Sequence, residues 1–90
     1  MSLRRTKIEI INDMLKAIYE KGGRIKPTHL LYKSNLSHKK MIEYVDELEK
    51  KQMIEEKIIN GKKAYVITEK GTHYIMEFKK IKEFSDSFGL

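Results

Sequence analysis

Tyr32-Lys33-Ser34-Asn35-Leu36-Ser37-His38-Lys39-Lys40-Met41-Ile42-Glu43-Tyr44-Val45-Asp46-Glu47-Leu48 reads as the end of one short helix, a tight turn and the start of a second helix. Asn35 is a residue type that tolerates the left-handed conformation of such a turn. Leu36 supplies its apolar plug. Ser37 is a good N-cap, able to accept from the free amides of the next helix's first turn. Behind it Met41, Val45 and Leu48 recur at i, i+4 and i+7, the stripe of a helix with one buried face. Ser37, His38, Lys39 and Ile42 begin the opposite face.

Polar and cationic side chains and a helix N-terminus therefore point the same way. That is the layout of a helix-turn-helix, in which the second helix, here about 38–51, enters the DNA major groove and sets its N-terminal residues on base edges. Ser37, His38, Lys39 and Lys40 form the expected leading edge, where Ser and Lys can meet phosphates or base-edge acceptors. Ile42 could touch a thymine methyl or pack within the protein. Glu43 could accept from cytosine, repel phosphate, or pack. On the preceding helix, Thr28 and Lys33 are phosphate candidates, and Tyr32 is expected to pack, leaving its hydroxyl for a phosphate.

The flanking sequence extends this unit. Thr6 and Glu9 have capping-box spacing and start a first helix, with Ile8, Ile11, Met14, Leu15 and Ile18 as its buried stripe and Gly22-Gly23 as its end. Ile10 and Tyr19 fall off that stripe. Arg24-Ile25-Lys26 is long enough only for a bridging strand near Ile25. Pro27 suits the first turn of a brief helix to about Ser34, with Leu30 and Leu31 inward. Beyond the central stretch, a strand begins at Met53-Ile54. Asn60-Gly61 is the preferred pair for a two-residue type I′ hairpin turn. It pairs Ile59 with Lys62, Ile58 with Lys63, Glu56 with Tyr65 and Ile54 with Ile67. The hairpin base is then apolar, and Lys57, Lys62 and Lys63 cluster near its tip. Cations there suit contact with a neighbouring groove, and they also deter edge pairing. Thr68 caps a last helix, Glu69 to about Phe84, whose apolar face holds Tyr74, Ile75, Phe78, Ile81 and Phe84. The tail Ser85–Leu90 lacks a period, although Phe88 could dock.

Ninety residues with 40% apolar content suit one small domain spanning 1–90. A formal charge of +6 favours an anionic partner, and its distribution sharpens this. Residues 43–56 hold six acids against two bases, whereas the segments on either side are basic, so the positive surface is oriented rather than uniform. Cysteine is absent, which excludes disulfides and thiolate metal sites. His29, His38 and His73 have no metal-ligand spacing, so no metal is expected. No nucleophile-base-orienter set and no glycine-rich phosphate loop appears, and neither an enzyme nor a cofactor is implied. No apolar run reaches membrane-spanning length, and none follows Arg4-Arg5 as a secretory signal would need, so a cytoplasmic location is expected.

The order helix, helix, helix, hairpin, helix gives the expected fold class: mainly α with a small β-hairpin, a winged helix-turn-helix. Leu36-Ser37, then Met41, Val45, Asp46 and Leu48, then Lys51-Gln52-Met53-Ile54, resembles the recognition-helix signature of MarR-like transcriptional regulators. Tyr65-Val66-Ile67-Thr68-Glu69-Lys70-Gly71 looks like the strand-to-helix junction of the same superfamily. The compact size, the Tyr32–Ser37 turn and the single last helix are more similar to the archaeal Sso-ten-a chromosomal proteins. The resemblance implies a double-stranded DNA-binding homodimer, either a transcriptional regulator or a nucleoid-associated chromosomal protein. Residues 69–88 would be its dimerisation element, through Tyr74, Ile75, Phe78, Ile81 and Phe84. The layout of the turn, its supporting helix and the hairpin tip makes Thr28, Lys33, Ser37, His38, Lys39, Lys40, Ile42, Glu43, Lys62 and Lys63 the candidate DNA contacts, and no small-molecule effector is named. Two departures stand out. Gln52 occupies the position of a usual turn glycine, and the last helix is short for a long coiled coil. A protein-binding winged-helix module of a transcription complex is the alternative, suited to the acidic patch Glu43, Asp46, Glu47 and Glu49.

Overall fold

Thr6 begins the first helix by a reciprocal cap. Its hydroxyl accepts from the Glu9 amide, and the Glu9 carboxylate accepts from the Thr6 amide. In the computed structural model, which describes residues 5–89, the elements are α1 (Lys7–Glu20), β1 (Arg24–Ile25), α2 (Pro27–Ser34), α3 (His38–Lys50), β2 (Ile54–Ile59), β3 (Lys62–Ile67) and α4 (Glu69–Ser87). Arg4 and Leu90, the end of the tail, lie outside the described residues.

The core is the meeting of four apolar stripes. Ile11, Met14, Leu15 and Ile18 come from α1, Leu30 from α2, and Met41, Val45 and Leu48 from α3. Ile25, Ile54 and Tyr65 close it from the sheet. Removing a fully buried leucine such as Leu48 from so small a core is expected to cost about 2–5 kcal/mol. Ile8 does not belong to the stripe: it is 57% exposed. What meets α1 at that turn is the Tyr74 hydroxyl, which donates to the Ile8 carbonyl and leaves the side chain outside. Ile10 instead packs against the core edge.

The three strands are antiparallel in the order β1-β3-β2. Asn60 and Gly61 both have positive φ, at 52° and 75°, as a type I′ turn requires. The turn sets the register Ile59↔Lys62, Ile58↔Lys63, Glu56↔Tyr65 and Ile54↔Ile67 expected from the sequence. β1 adds Arg24↔Val66 and Ile25↔Tyr65, and the Ile67 amide donates to the Gly23 carbonyl at 2.9 Å. The bridging strand thus fastens the start of α2 beside the hairpin. At the far end, α4 continues through Ser85 to Ser87, past the Phe84 limit set by apolar periodicity. Phe88 packs its ring on Phe84, with centroids 4.9 Å apart, and stays exposed. No helix among the described residues is long and apolar enough to cross a membrane.

Candidate nucleic-acid interface

The turn between α2 and α3 is built as its residue types dictate. Asn35 is left-handed, with φ 55°, and Leu36 packs against the core. The Ser37 hydroxyl accepts from the Lys40 amide at 3.2 Å. Arg5 braces the turn from outside. Its guanidinium donates to the Ser34 carbonyl at 2.7 Å and pairs with Asp13 at 2.8 Å. Because Met41, Val45 and Leu48 are buried, the first turn of α3 is presented outward, and Ser37, His38, Lys39 and Lys40 are all exposed. Lys40 turns toward Glu43, 3.6 Å away, so Lys39 is the less engaged of the two lysines. Ile42 is half-buried and packs against the core, the inward one of its two expected placements.

Thr28, His29 and Lys33 are exposed on α2. Lys33 lines a mixed-charge depression with Asp13 and Glu20 of α1. Tyr32 corrects the sequence reading. Rather than packing, it is 82% exposed. Leu30 and Ser34 hold the buried face of α2, and at 100° per residue Tyr32 falls opposite them.

On the wing, the β2–β3 hairpin, Lys62 is exposed, whereas Lys63 is tethered. Its ammonium lies 3.4 Å from the Glu56 carboxylate and 5.9 Å above the Tyr65 ring, and the hydrogen bond to Glu56 raises its pKa. The wing faces the α1–β1–α2 segment across a cleft of about 550 Å³. Lys21, Arg24, Lys26 and His29 line one wall, and Lys62 and Lys63 the other. Sequence reasoning missed Lys21, Arg24 and Lys26. Their signal was the bridging strand, whose partner is β3 beside the hairpin tip.

The negative charge gathers away from the α3 N-terminus. Glu49 is held above its ordinary pKa by burial and by the neighbouring Glu56 and Asp46. Glu47 is occupied by Lys7 at 2.7 Å and Lys51 at 3.3 Å.

Along α4, Tyr74 and Ile75 pack against the core and Phe78 is half-buried. Ile81 and Phe84 are open, at 66% and 65% exposed, as is Phe88 at 66%.

An exposed, capped recognition helix beside a three-stranded sheet with a cationic hairpin defines a winged helix-turn-helix protein. Residues 4–86 match the winged helix-turn-helix family, and the chain belongs to it. Among solved structures it is similar to Sso10a-2, a DNA-binding protein from Sulfolobus solfataricus, at 31% identity over 94% of this chain and 90% of that one, with a TM-score of 0.74. The fold is shared with the reduced transcriptional regulator YodB from B. subtilis, at 23% identity over 93% and 81% of the two chains, TM-score 0.74. It is also shared with TubR from Bacillus thuringiensis, bound to 24 bp of tubC, at 19% identity over 87% and 98%, TM-score 0.67. No curated protein matches the chain.

Proposed function

We propose that this chain binds double-stranded DNA as a homodimer, as a transcriptional regulator or a chromosome-associated protein, with α3 in the major groove. The observation that carries the reading is the first turn of α3. Ser37, His38 and Lys39 stand exposed on a capped helix start, clear of the acidic zone around Glu49. The DNA-binding description of Sso10a-2 supports it at 31% identity. In this reading Ser37, His38 and Lys39 meet base edges or nearby phosphates, while Thr28, Lys33, Lys40, Lys62 and Lys63 position the duplex. Glu43 limits how deeply α3 tolerates phosphate.

The dimer is proposed on α4. Ile81, Phe84 and Phe88 form an apolar stripe on the part of the helix that projects beyond the core, and a two-fold copy would cover it. That pairing sets two recognition helices about one helical turn apart on one duplex.

The test is duplex binding as a function of salt. With about three to five phosphate contacts per protomer, the log–log slope for a dimer is expected at about −5 to −9. A flat dependence, or no binding at low salt, overturns the DNA reading. Pull-down of a protein partner through the Asp46–Glu49 face, without duplex binding, would favour the interaction-module alternative.

A further inference from the structure

The cleft between the wing and the α1–β1–α2 segment differs from the other depressions of the surface. Those along α1 and α3 mix charges: Lys16 and Lys21 with Asp13 and Glu20, or Lys7 and Lys40 with Glu43 and Glu47. The wing cleft has no carboxylate among its lining residues, but five lysines or arginines and His29. Only Lys63 of these has an ion-pair partner among the described residues, Glu56. Clustered cations without counter-charge repel one another, so such a wall is stabilised by an anion placed between them. The cleft also has a helix start at its edge. Lys26 is the N-cap of α2 and makes no side-chain cap, and Pro27 has no amide to offer. The Thr28 and His29 amides have no helical acceptor, since the first intrahelical bond of α2 is from the Leu30 amide to the Lys26 carbonyl.

We infer that this cleft is a phosphate seat and that its occupant is one strand of the bound duplex, the strand that separates the groove entered by α3 from the groove reached by the wing. Arg24 and Lys26 hold that strand from the α2 side and Lys62 from the wing side. This rests on the duplex-binding reading above and adds Lys21, Arg24 and Lys26 to it. The geometry gives the reason. β1 pairs with β3 at Arg24↔Val66 and Ile25↔Tyr65, so the chain that leaves β1 at Lys26 runs alongside the tip half of the hairpin. The two cationic walls are fixed to each other through strand hydrogen bonds rather than through a mobile loop. A rigid pair of walls holds a phosphodiester strand with little ordering cost on binding. Arg24 supplies a planar fork that can donate two parallel hydrogen bonds to two phosphate oxygens, a fixed geometry that the ammonium of a lysine lacks.

The experiment compares Arg24→Gln with Lys26→Gln, as a double variant, against Lys50→Gln with Lys70→Gln, which removes the same charge elsewhere. Both pairs of residues are exposed, and folding of each variant is checked by circular dichroism. The cleft variant is expected to lose about two units of log–log salt slope per protomer relative to the control, with its ranking of duplex sequences unchanged. Ethylation of a single backbone phosphate that interferes with wild-type binding should no longer interfere in the cleft variant. If the wild type binds duplex steeply and the cleft variant matches the control, the phosphate seat is wrong and the duplex reading stands. If the wild type binds no duplex, both fall. Saturable binding of inorganic pyrophosphate at micromolar concentration, read from the amide signals of Arg24, Asn60 and Ala64, with no loss of slope in the variant, would assign the cleft to a free phosphate compound and overturn the inference.

Discussion

The Thr68 hydroxyl donates to the Gln52 carbonyl at 2.7 Å, and through it the junction into α4 holds the end of α3. Gln52 is in the left-handed region, with φ 61°. It follows the C-cap of α3 in a Schellman turn: the Met53 amide donates to the Leu48 carbonyl and the Gln52 amide to the Glu49 carbonyl. α1 ends in the same pair of bonds, from Gly23 to Ile18 and from Gly22 to Tyr19, but there the left-handed residue is Gly22, with φ 87°. A side chain in this conformation costs about 1 kcal/mol, which glycine avoids. Gln52→Gly is therefore expected to stabilise the protein by about 0.5–1 kcal/mol, read as a higher urea midpoint at unchanged m-value. A lower midpoint would mean that the Gln52 side chain contributes something this backbone argument omits.

On the other side of the same junction, a Cβ at Gly71 would run into the Met53 carbonyl oxygen and the Ile67 side chain. Met53 also accepts from the Thr68 amide at 3.0 Å, so its carbonyl cannot retreat without losing that bond. Gly71→Ala is expected to destabilise by about 1–3 kcal/mol, the usual cost of overpacking, despite alanine's better helix propensity. A neutral result in denaturant unfolding would show that α4 can slide away from β2.

Much of this architecture was legible in the sequence because it depends on local rules. Asn60-Gly61 fixed a hairpin register to the residue, and Thr6, Ser37 and Thr68 marked three helix starts. What escaped depends on partners distant in the chain. Arg24-Ile25-Lys26 is too short to signal which strand it pairs with, and the partner of β1, β3, lies far along the chain, so the cationic cleft was hidden. With Leu30 and Leu31 read as inward, Tyr32 falls near the packed side; the face the structure buries is that of Leu30 and Ser34, which turns Tyr32 outward. Ile8 matched the α1 period, but a period gives direction and not whether anything lies there to meet it.

Base contacts specify and phosphate contacts position. In the proposed complex Lys39→Ala is expected to change the ranking of duplex sequences. Lys62→Ala with Lys63→Ala is expected to weaken all of them and flatten the salt slope, by more than Lys63→Ala alone, because Lys63 is partly occupied by Glu56. Binding measured against a randomised duplex pool separates the two effects. A uniform loss from Lys39→Ala would identify a non-specific, architectural binder.

Acid should loosen the fold. Glu9 is held below its ordinary pKa of 4.5 by the Thr6 amide and hydroxyl, and Glu47 below the same value by the Lys7 ammonium and then Lys51. Glu77 is lowered by His73 and then Lys80. Each has a folded value below the unfolded one, so its stabilisation is present above pH 4.5 and is lost as pH falls through the folded value. Glu49, raised by burial, acts in the opposite sense. The net expectation is a falling urea midpoint below about pH 4.5, with a shallower fall in Glu47→Gln, which has no such carboxylate to protonate. The same pH profile in both proteins would remove the Lys7–Glu47 pair from the acid response.

The outer half of α4 is expected to carry the proposed dimer contact. The 19 residues of the helix extend about 28 Å, and the molecule measures 48 × 32 × 22 Å. The first half of the helix is committed to the core through Tyr74 and Ile75. The second half lies beyond the core cluster, with Lys79 and Lys82 beside Glu9 and Asp13 of α1, yet it carries Ile81, Phe84 and the stacked Phe88 in the open. A pairing built on these three is short, about two heptads at most, so the dimer is expected to be sensitive to single charges. Ile81→Glu with Phe84→Glu should give a folded monomer by light scattering, since neither side chain supports the core, and its duplex affinity should drop sharply as the second recognition helix is lost. Tyr74→Glu should instead unfold the domain by driving a charge against α1. A wild type that is monomeric at micromolar concentration, or a double variant that stays dimeric, would place the interface off this helix.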